Sequence, residues 1–517
     1  MKDSRNLARI IINRRQGQGP LLDFEAGDKV KENRLVSALA ESKEPSRNQL
    51  IRTLYDQPSV KNDAAFRQLH ARVFGKLLNH LYFLDHSDPR YSVSRRYQLE
   101  CLDLLHKGLI LYQEGASALS ARVCASCLAK AIQDGFTAYA IEAAQQLRTV
   151  YAEMQEVKKF RAVVKELERL QGLRRLEEQA EAIYADVRLA RTGPVTPLST
   201  MLAALKPQLE RLRQLHLQAQ TPGTADIYYR VQIVYLEQSG DYQGIIDFTL
   251  EAERQLARGQ FNAHRFDIRF NLFMRMYAYL LTQQPERGLE VAREAEKHFH
   301  PTAVNWMYFE EHRLLLAMHA GQFDLARRVV QRAHLSPVFE RQNKRAQQRW
   351  ELFGAYLDFV LPPTKPSPAR RRELGKLALM MPEYSRDKRG LNVAILIGQV
   401  LYFLQEQDAE AVVLRVESLR KYRLRHLREA TNQRTRLFLR LLQLIADEQF
   451  DPARCAERAA PLLHQLANTP PPGEAFAEVE IIPYPLLWGI ILQHLRTSPP
   501  ALKPLLAAAA ASSPATQ

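Results

Sequence analysis

The sequence predicts an all-α protein, an elongated solenoid of stacked antiparallel helical hairpins, on three observations. A short polar turn recurs about every 40 residues, and each copy separates an apolar helical stretch from an alanine-rich amphipathic one. Glycine is scarce, at 21 of 517 residues, and alternating β-branched runs are few, so sheets are expected to be minor or absent. The chain exceeds the ~250–300 residues at which one compact core stops growing, so it forms either several domains or one elongated array, and the repeat favours the array. The turns are Gln113-Glu114-Gly115, Gln155-Glu156-Val157, Ser239-Gly240-Asp241-Tyr242, Gln284-Pro285-Glu286, Ala320-Gly321-Gln322-Phe323, Gln405-Glu406-Gln407 and Asp447-Glu448-Gln449-Phe450.

The amino-terminal part is predicted to contain a flexible lead-in followed by three helices. Residues 1–30 mix charge with glycine and proline and show no sustained period. From residue 31 the pattern becomes helical, and the spacing of Ser46 and Gln49 predicts a capping box at the start of the second helix. The third helix is expected to begin at Asn62.

Two interpretations of this three-helix module stay open. A solenoid needs an atypical end repeat with a polar outer face, and the module fits that role. A DNA-binding helix-turn-helix is the alternative, but the connection between the second and third helices, residues 55–61, is longer than the three or four residues usual there. The cap is therefore favoured.

Helix-breaking proline and glycine residues divide the rest of the chain. Residues 153–190 predict a nearly continuous helix with a break at Gln171-Gly172, and residues 192–197 and 221–224 carry the proline and glycine of connections. Four prolines between Pro362 and Pro368 exclude a helix interior. The predicted organisation is a lead-in (1–30), an amino-terminal module (31–90), helical repeats (91–361), a proline-rich linker (362–369), basic helical repeats (370–500) and a disordered alanine-rich tail (501–517).

Two units resemble tetratricopeptide repeats. In that family a small residue early in the second helix lets the two helices pack closely, and an aromatic residue after the turn fills the space beside it. Gly244 with Tyr242, and Ala326 with Phe323, occupy those places here. The residues that carry the resemblance are Val231, Tyr235, Leu236, Gly240-Asp241-Tyr242, Gly244 and Phe248 in residues 228–254, and Ala317, Gly321-Gln322-Phe323, Ala326 and Pro337 in residues 314–337.

The resemblance covers about half the chain and implies a binding function. The repeats here are about 40 residues long instead of 34, and most lack the family's early tryptophan and glycine. Members of the family are mostly adaptors that hold peptides or partner helices, so the first hypothesis is a non-catalytic scaffold that binds a protein segment on its concave surface. Exposed anchors are expected at Tyr228, Tyr229, Arg230, Asn271, Arg275 and Tyr308.

The charge favours a second hypothesis, the binding of RNA or DNA. The net charge is +15, and residues 415–440 carry ten basic side chains, His426 included, against two glutamates. Arginine forks bind phosphate, and Tyr422 could stack on a base. Solvated arginines on helix faces would give the same pattern. The candidate contacts are Lys388, Arg389, Arg420, Lys421, Tyr422, Arg423, Arg425, Arg428, Arg434 and Arg436.

Catalysis and cofactors are not expected. The chain has none of the glycine-rich phosphate loops and no nucleophile elbow. Cys124 and Cys127 have metal-ligand spacing but no second ligand pair, and Glu310-Glu311-His312 lacks the second histidine of a zinc helix. The four cysteines are too few for a disulfide framework, and the sequence shows no secretion signal and no membrane-spanning run, so a cytoplasmic protein is expected.

Overall fold

A computed structural model describes residues 21–41, 45–55, 60–83, 93–192, 198–362, 391–426, 433–469 and 480–497, together with Leu7 and Ile10. Every regular element in these ranges is helical, which confirms the predicted all-α class. The chain divides into two compact units: residues 1–91 with 95–171, and residues 92–94 with 172–517. The predicted tail and nearly all of the proline-rich linker fall outside the described residues.

The first unit contains the three-helix module and the first repeats. The helices of the module contact one another and enclose a small core of their own, and α5 packs along α6 further on. The helices are α1 (Lys31–Glu41), α2 (Arg47–Tyr55), α3 (Val60–His80), α4 (Val93–Gln113), α5 (Ser117–Gln133), α6 (Thr137–Glu153) and the first half of α7 (Val157–Thr192), with 3-10 turns at Phe24–Lys29 and Leu81–Phe83.

The second unit is a sequential stack of helices. From α8 to α20 each helix contacts the next along the described chain, and α11 also contacts α13, as expected for stacked hairpins. The helices after α7 are α8 (Leu198–Ala219), α9 (Pro222–Gln238), α10 (Tyr242–Ala257), α11 (Ile268–Leu281), α12 (Pro285–Ala295), α13 (Val304–His319), α14 (Phe323–Leu335), α15 (Lys344–Val360), α16 (Leu391–Gln405), α17 (Ala409–His426), α18 (Gln433–Asp447), α19 (Pro452–Ala467) and α20 (Tyr484–Thr497).

The recurring turn of the sequence is one kind of helix ending. At each copy a residue adopts positive φ, and the next amide donates to the carbonyl five residues earlier, as Asp241 does to Leu236 and Gln322 to Ala317. This is the Schellman motif, which satisfies carbonyls left over at a helix end. All seven predicted turns adopt it, and Gly135 and Gly259 add two that were not predicted from the sequence. The residues with positive φ at these endings, from 54° to 73°, are Gly115, Gly135, Gln155, Gly240, Gly259, Gln283, Gly321, Gln407 and Gln449.

The predicted helix starts are also present. Ser46 and Gln49 form the reciprocal capping box, with the Ser46 amide donating to Gln49 Oε1 at 2.8 Å and the Gln49 amide to Ser46 Oγ at 3.3 Å. Pro285 and Pro452 begin α12 and α19. Proline has no N–H, and at the first turn of a helix this costs no hydrogen bond because the N–H there has no partner within the helix.

One predicted break does not occur. Helix α7 runs through Gln171 and Gly172 for 36 residues, although the division between the two units falls at that point. A single glycine costs a helix only about 1 kcal/mol. Arg174 bridges along the helix to Glu178 at 3.1 Å and Glu181 at 2.7 Å, and these pairs favour its continuation.

Close packing is clearest where α12 meets its neighbours. A Cβ atom added to Gly288 would lie 2.4 Å from Leu316 Cδ2 and 3.2 Å from Tyr279 Cβ, so a side chain there would force the buried Leu316 to shift. One hydrophobic core then runs from Tyr229 to Leu495. Among the described helices, none is long and apolar enough to cross a lipid bilayer.

Candidate functional site

A buried polar network joins α9, α10 and α11 in the second unit. The Tyr229 hydroxyl donates to Asn271 Oδ1 at 2.5 Å, and Asn271 Nδ2 donates to Glu253 Oε1 at 2.8 Å. Arg275 completes it with two parallel bonds of 2.8 Å to the same carboxylate. Burial raises the pKa of the Tyr229 hydroxyl, which therefore stays protonated as a donor. The network crosslinks three consecutive helices.

This network corrects the prediction of exposed anchors. Tyr229, Asn271 and Arg275 are 4 %, 0 % and 2 % exposed, so a partner could not reach them. Helices α9 and α11 are covered on both sides by neighbouring helices, so their polar side chains pair with one another. Of the other predicted anchors, Tyr308 on α13 is exposed, and Tyr228 is half-buried and stacks on His216 with ring centroids 6.2 Å apart.

A narrow cleft opens to solvent beside this network. Arg230, the remaining predicted anchor, lines the cleft and stays reachable, with a quarter of its side chain exposed. The cleft is narrow, with a cavity volume of about 20 Å³, which is room for about one water molecule. Helix α9 forms one wall, and the connection between α10 and α11, residues 258–267, forms the other. The lining residues are Pro222, Asp226, Tyr229, Arg230, Phe261, Asn262, Arg265, Phe266, Asp267 and Phe270.

The connection of residues 258–267 is folded by its own hydrogen bonds. The Asn262 carbonyl accepts from the amides of Arg265 at 3.0 Å and Phe266 at 2.9 Å, and the Asn262 side chain accepts from the His264 amide at 2.9 Å. Asp267 then caps α11 by accepting from the Phe270 amide. The wall of the cleft is therefore held in one shape without a partner.

The cleft combines aromatic rings with paired charges. The Arg230 guanidinium bonds Asp226 at 2.9 and 3.0 Å, lies 3.8 Å from Asp267 and is 5.0 Å from the Phe270 ring centroid. Burial acts to lower the pKa of Arg230, but the carboxylates outweigh it and raise the pKa, whereas burial lowers the pKa of Arg265. Such a site presents ring faces and a paired charge to a group that lies across its opening.

The next part of the second unit's stack is already covered by the chain's own carboxyl-terminal segment, residues 480–497. Arg434 on α18 binds the start of this segment, with hydrogen bonds of 2.6 and 3.2 Å to the Glu480 carboxylate. The same guanidinium donates to the carbonyls of Leu466 at 2.8 Å and Thr469 at 2.6 Å. The Arg434 side chain is 5 % exposed. The prediction of Arg434 as an anion contact is therefore wrong, because its donors are occupied inside the chain.

Aromatic and apolar contacts continue along this segment. Tyr484 stacks on Phe438 of α18 with centroids 4.2 Å apart and planes at 3°. His494 donates to the Leu404 carbonyl of α16 at 3.1 Å, and its ring lies 5.2 Å from that of Phe359 on α15. The segment thus fills the surface shared by α15, α16 and α18, and the open cleft at α9–α11 is separate from it.

Four arginines meet on α17 and α18. Burial lowers the pKa of Arg423, and the charges of Arg440, Arg436 and Arg420 lower it further. Its Nη2 reaches only Gln443, at 3.3 Å, and its buried Nε has no hydrogen-bond partner among the described residues. These four residues are named the arginine cluster.

The other predicted basic contacts divide into three groups. Lys421 and Arg425 are exposed on α17, as expected. Tyr422 is 5 % exposed and belongs to the hydrophobic core, so it is not available to stack on a base. Lys388, Arg389 and Arg428 lie outside the described residues.

The side chains of Glu310, Glu311 and His312 contact three different sets of partners. Glu310 pairs with Arg332 and Arg313, and Glu311 with Arg349 at 3.2 Å. Burial raises the pKa of Glu310 to about 7 against the opposing effect of both arginines. His312 packs edge-on to Phe273, with centroids 4.5 Å apart, and donates from Nδ1 to the Tyr308 carbonyl at 2.9 Å. Burial lowers its pKa to about 4.

His312 gives a pH-dependent contribution to stability. Its folded pKa of about 4 lies below the ordinary 6.5, so the unfolded chain binds more protons between these values and stability is lost as the pH falls through that range. The full loss is about 3 kcal/mol. The unfolding free energies of the wild type and His312→Asn, measured from pH 7 to pH 4, should therefore converge by about that amount. Glu310 has the opposite pH dependence, but it is present in both proteins, so its contribution cancels in the difference between their unfolding free energies. A difference that does not change with pH would contradict the assignment to His312.

The cysteines of the described helices are buried packing residues. Cys101, Cys124, Cys127 and Cys455 are all free thiols and fully buried. Cys127 Sγ donates to the Cys101 carbonyl at 3.3 Å between α4 and α5. No group of three metal-ligating side chains occurs among the described residues.

These features define an all-α protein of sequentially packed helices with an open aromatic cleft. No family model matches the chain, and no curated protein or solved structure is significantly similar to it. Of the residues at the cleft, Arg230 is a predicted anchor that stays reachable, Tyr229 is a predicted anchor that is buried, and Phe261, Arg265 and Phe266 were missed. Their signal was a ten-residue non-helical stretch with two phenylalanines, in a chain whose other turns here are short.

Proposed function

We propose that this chain is a tetratricopeptide-like scaffold of the cytoplasm that binds a segment of a partner protein in the cleft between α9 and α11. The single observation behind the proposal is the cleft itself: two phenylalanines of the 258–267 connection and Phe270 face the Arg230–Asp226 pair, and the cleft is open. Aromatic and arginine side chains in a preformed recess are the usual energetic centre of protein interfaces.

The packing of the repeats supports the tetratricopeptide-like assignment. The aromatic residue after the turn, Tyr242, packs edge-on to Tyr277 with ring centroids 5.9 Å apart. Ala326 is fully buried early in α14, where the family places a small residue. Gly288 holds the corresponding place in α12, where an added side chain would displace Leu316.

The proposed ligand is an extended or helical peptide with one apolar anchor. The anchor would lie across the opening of the cleft against Phe261, Phe266 and Phe270, where partial burial of an apolar side chain contributes less than the about 1.5–3 kcal/mol of full burial. A polar group of the peptide would exchange with the Arg230–Asp226 pair, because a guanidinium presents several donors in a fixed plane.

Peptides selected from a random library on the full chain test this proposal. Arg230→Gln keeps a polar side chain but removes the charge, and should weaken the selected peptides by at least about tenfold. The matched control is Arg254→Gln on α10, whose side chain is 61 % exposed and pairs with Glu251 at 3.1 Å. Equal affinities for the wild type and Arg230→Gln, measured by fluorescence anisotropy, would contradict the proposal.

The arginine cluster supports a second candidate, the binding of RNA or DNA. Arg423 is surrounded by three like charges, and an anion seated among them would relieve their repulsion. Arg436 and Arg440 are exposed, and Arg420 is 59 % exposed with a glutamate 3.6 Å away. Phosphate is the anion whose geometry arginine forks fit best.

Titration with mixed oligonucleotides at two salt concentrations tests the second candidate. Binding through the cluster predicts that the double variant Arg436→Glu with Arg440→Glu has a lower affinity, and that its salt slope is smaller by about 0.7 to 0.9 for each phosphate that it no longer neutralises. Arg293→Glu on α12 is the control, being exposed and remote in sequence. No binding at low salt would remove this candidate and leave the scaffold.

A further inference from the structure

A buried carboxylate joins helices α13 and α14 of the second unit. The Glu310 side chain on α13 is 0 % exposed, and its Oε1 accepts from Arg332 Nη2 of α14. Arg313 Nη1, on α13 itself, lies 3.9 Å from the same oxygen. The other oxygen, Oε2, is buried and has no hydrogen-bond partner among the described residues. Both cations therefore lie at one oxygen of the carboxylate, and the second oxygen is buried without a donor.

A second carboxylate holds the same two arginines at the surface. Glu296, in the 3-10 turn that directly follows α12, bonds Arg332 at 2.5 Å and Arg313 at 3.2 Å. Its side chain is 42 % exposed, so water can reach it. Glu311 and His312, the titratable groups next to the buried carboxylate on α13, face α15 and α11 instead. The arginines therefore keep a partner whether or not the buried carboxylate is charged.

These contacts favour the protonated form of Glu310 in the folded chain. Burial raises the pKa of Glu310 to about 7 against the opposing charges of Arg332 and Arg313, and the negative charge of Glu296 adds to the rise. In an opened chain the carboxyl returns to its ordinary pKa of 4.5. Between these two values the closed form binds more protons, so its stability falls as the pH rises from about 4.5 to about 7.

Helix α14 is the element of this cluster with the least apolar burial. Of its 13 residues only Ala326, Val329 and Ala333 are buried, and two of these side chains are single methyl groups. Arg332 is 40 % exposed, and its guanidinium lies over the Trp306 ring of α13 at 5.7 Å. Local opening occurs most readily where few apolar contacts are lost. The ion pairs of Arg332 are therefore a large part of what connects α14 to α13.

We propose that α14 is a pH-dependent flap, which stays closed on α13 while Glu310 is protonated and opens more often as Glu310 ionises. In the closed form the ionised carboxylate keeps one buried oxygen without a donor, whereas water reaches that oxygen once α14 leaves. Opening also removes Arg332 from Trp306, which is 2 % exposed in the closed form. The flap lies on other helices than the proposed cleft and does not depend on it.

Amide hydrogen exchange of the full chain between pH 5 and pH 7.5 tests the proposal. After correction for the pH dependence of exchange itself, the protection factors of α14 should fall as the pH rises. The expected fall is roughly 50-fold, from a pKa of 4.5 in the opened form and about 7 in the closed form. The amides of α19, which carries no residue of this cluster, are the internal reference.

Glu310→Gln distinguishes the flap from an ion pair that only holds α14 in place. Glutamine is a neutral side chain of the same shape as the protonated acid. In this variant α14 should be equally protected at pH 5 and pH 7.5, and at pH 7.5 it should be more protected than in the wild type. An ion pair that only holds α14 predicts the reverse. Glu290→Gln, which replaces an exposed carboxylate on α12, is the control and should keep the wild-type pH profile.

Arg332→Gln provides a second test if Glu310→Gln does not fold. It removes a cation that lowers the pKa of Glu310, so the fall in α14 protection should extend to a higher pH than in the wild type. A loss of protection that is the same at every pH would overturn the proposal. So would wild-type protection of α14 that does not change between pH 5 and pH 7.5, or α14 that is less protected in Glu310→Gln than in the wild type at pH 7.5.

Discussion

Replacing Arg434 by alanine is expected to destabilise the second unit by about 3–5 kcal/mol, because it leaves the Glu480 carboxylate buried without its cation. The Arg434 and Glu480 side chains are 5 % and 10 % exposed, so little water can replace the missing bonds. The carbonyls of Leu466 and Thr469 lose their donor in the same change. The start of the 480–497 segment should therefore loosen.

The matched control is two residues away. Arg436→Ala removes an exposed arginine from the same helix and should change the stability by no more than about 0.5 kcal/mol. Thermal unfolding and amide hydrogen exchange of both variants give the comparison. Equal Tm values and equal exchange rates for Arg434→Ala and Arg436→Ala would show that the bonds of Arg434 to Glu480, Leu466 and Thr469 contribute nothing to stability.

The second large effect is expected at the network beneath the cleft. Arg275→Ala should cost about 1.5–3 kcal/mol, because the Glu253 carboxylate, whose side chain is 26 % exposed, would keep only the Asn271 amide as a partner in the network. The Arg275 side chain is 3 % exposed and makes both of its 2.8 Å bonds to Glu253. The walls of the cleft are built on these helices, so peptide binding should weaken as well.

Arg293→Ala is the control for this prediction. Arg293 is exposed on the neighbouring helix α12, and its removal should shift the stability by less than about 0.5 kcal/mol. A Tm loss of several degrees for Arg275→Ala alone is the expected outcome. If Arg275→Ala and Arg293→Ala have the same Tm, the hydrogen-bond network of Tyr229, Glu253, Asn271 and Arg275 does not stabilise the fold.

The parts of the fold that depend on local chemistry were predictable from the sequence. A Schellman ending needs a residue at positive φ, which glycine favours and therefore marks directly. The endings at Gln155, Gln283, Gln407 and Gln449 were located by the recurrence of the turn, because glutamine has no such preference. The capping box of Ser46 and Gln49 is equally local, since both residues lie within one turn. The break predicted at Gly172 failed because one glycine does not outweigh the ion pairs around it.

Burial was the part that the sequence could not supply. Tyr229 and Asn271 are 42 residues apart, and Arg434 and Glu480 are 46 apart, so each pair depends on which helices become neighbours. A helical pattern gives the faces of a helix but not which of them a later segment covers. Tyr422, Arg434 and Arg275 were for this reason predicted to be exposed.

The arginine cluster was predictable in part. Spacing on one helix places Arg420 and Arg423 near each other, and Arg436 belongs to the same basic region of the sequence. Arg440 was not among the predicted contacts, and only the packing of α17 on α18 brings it to Arg423. Whether such arginines bind an anion is decided by their partners in space, which spacing along the chain does not reveal.

Hydrogen–deuterium exchange of the full chain, with and without a library-selected peptide, tests the central claim most directly. The cleft proposal predicts slower exchange on peptide addition in α9, in residues 258–267 and at the start of α11, and no change in the already covered 480–497 segment. Slower exchange confined to other parts of the chain, such as α17 and α18, would contradict it.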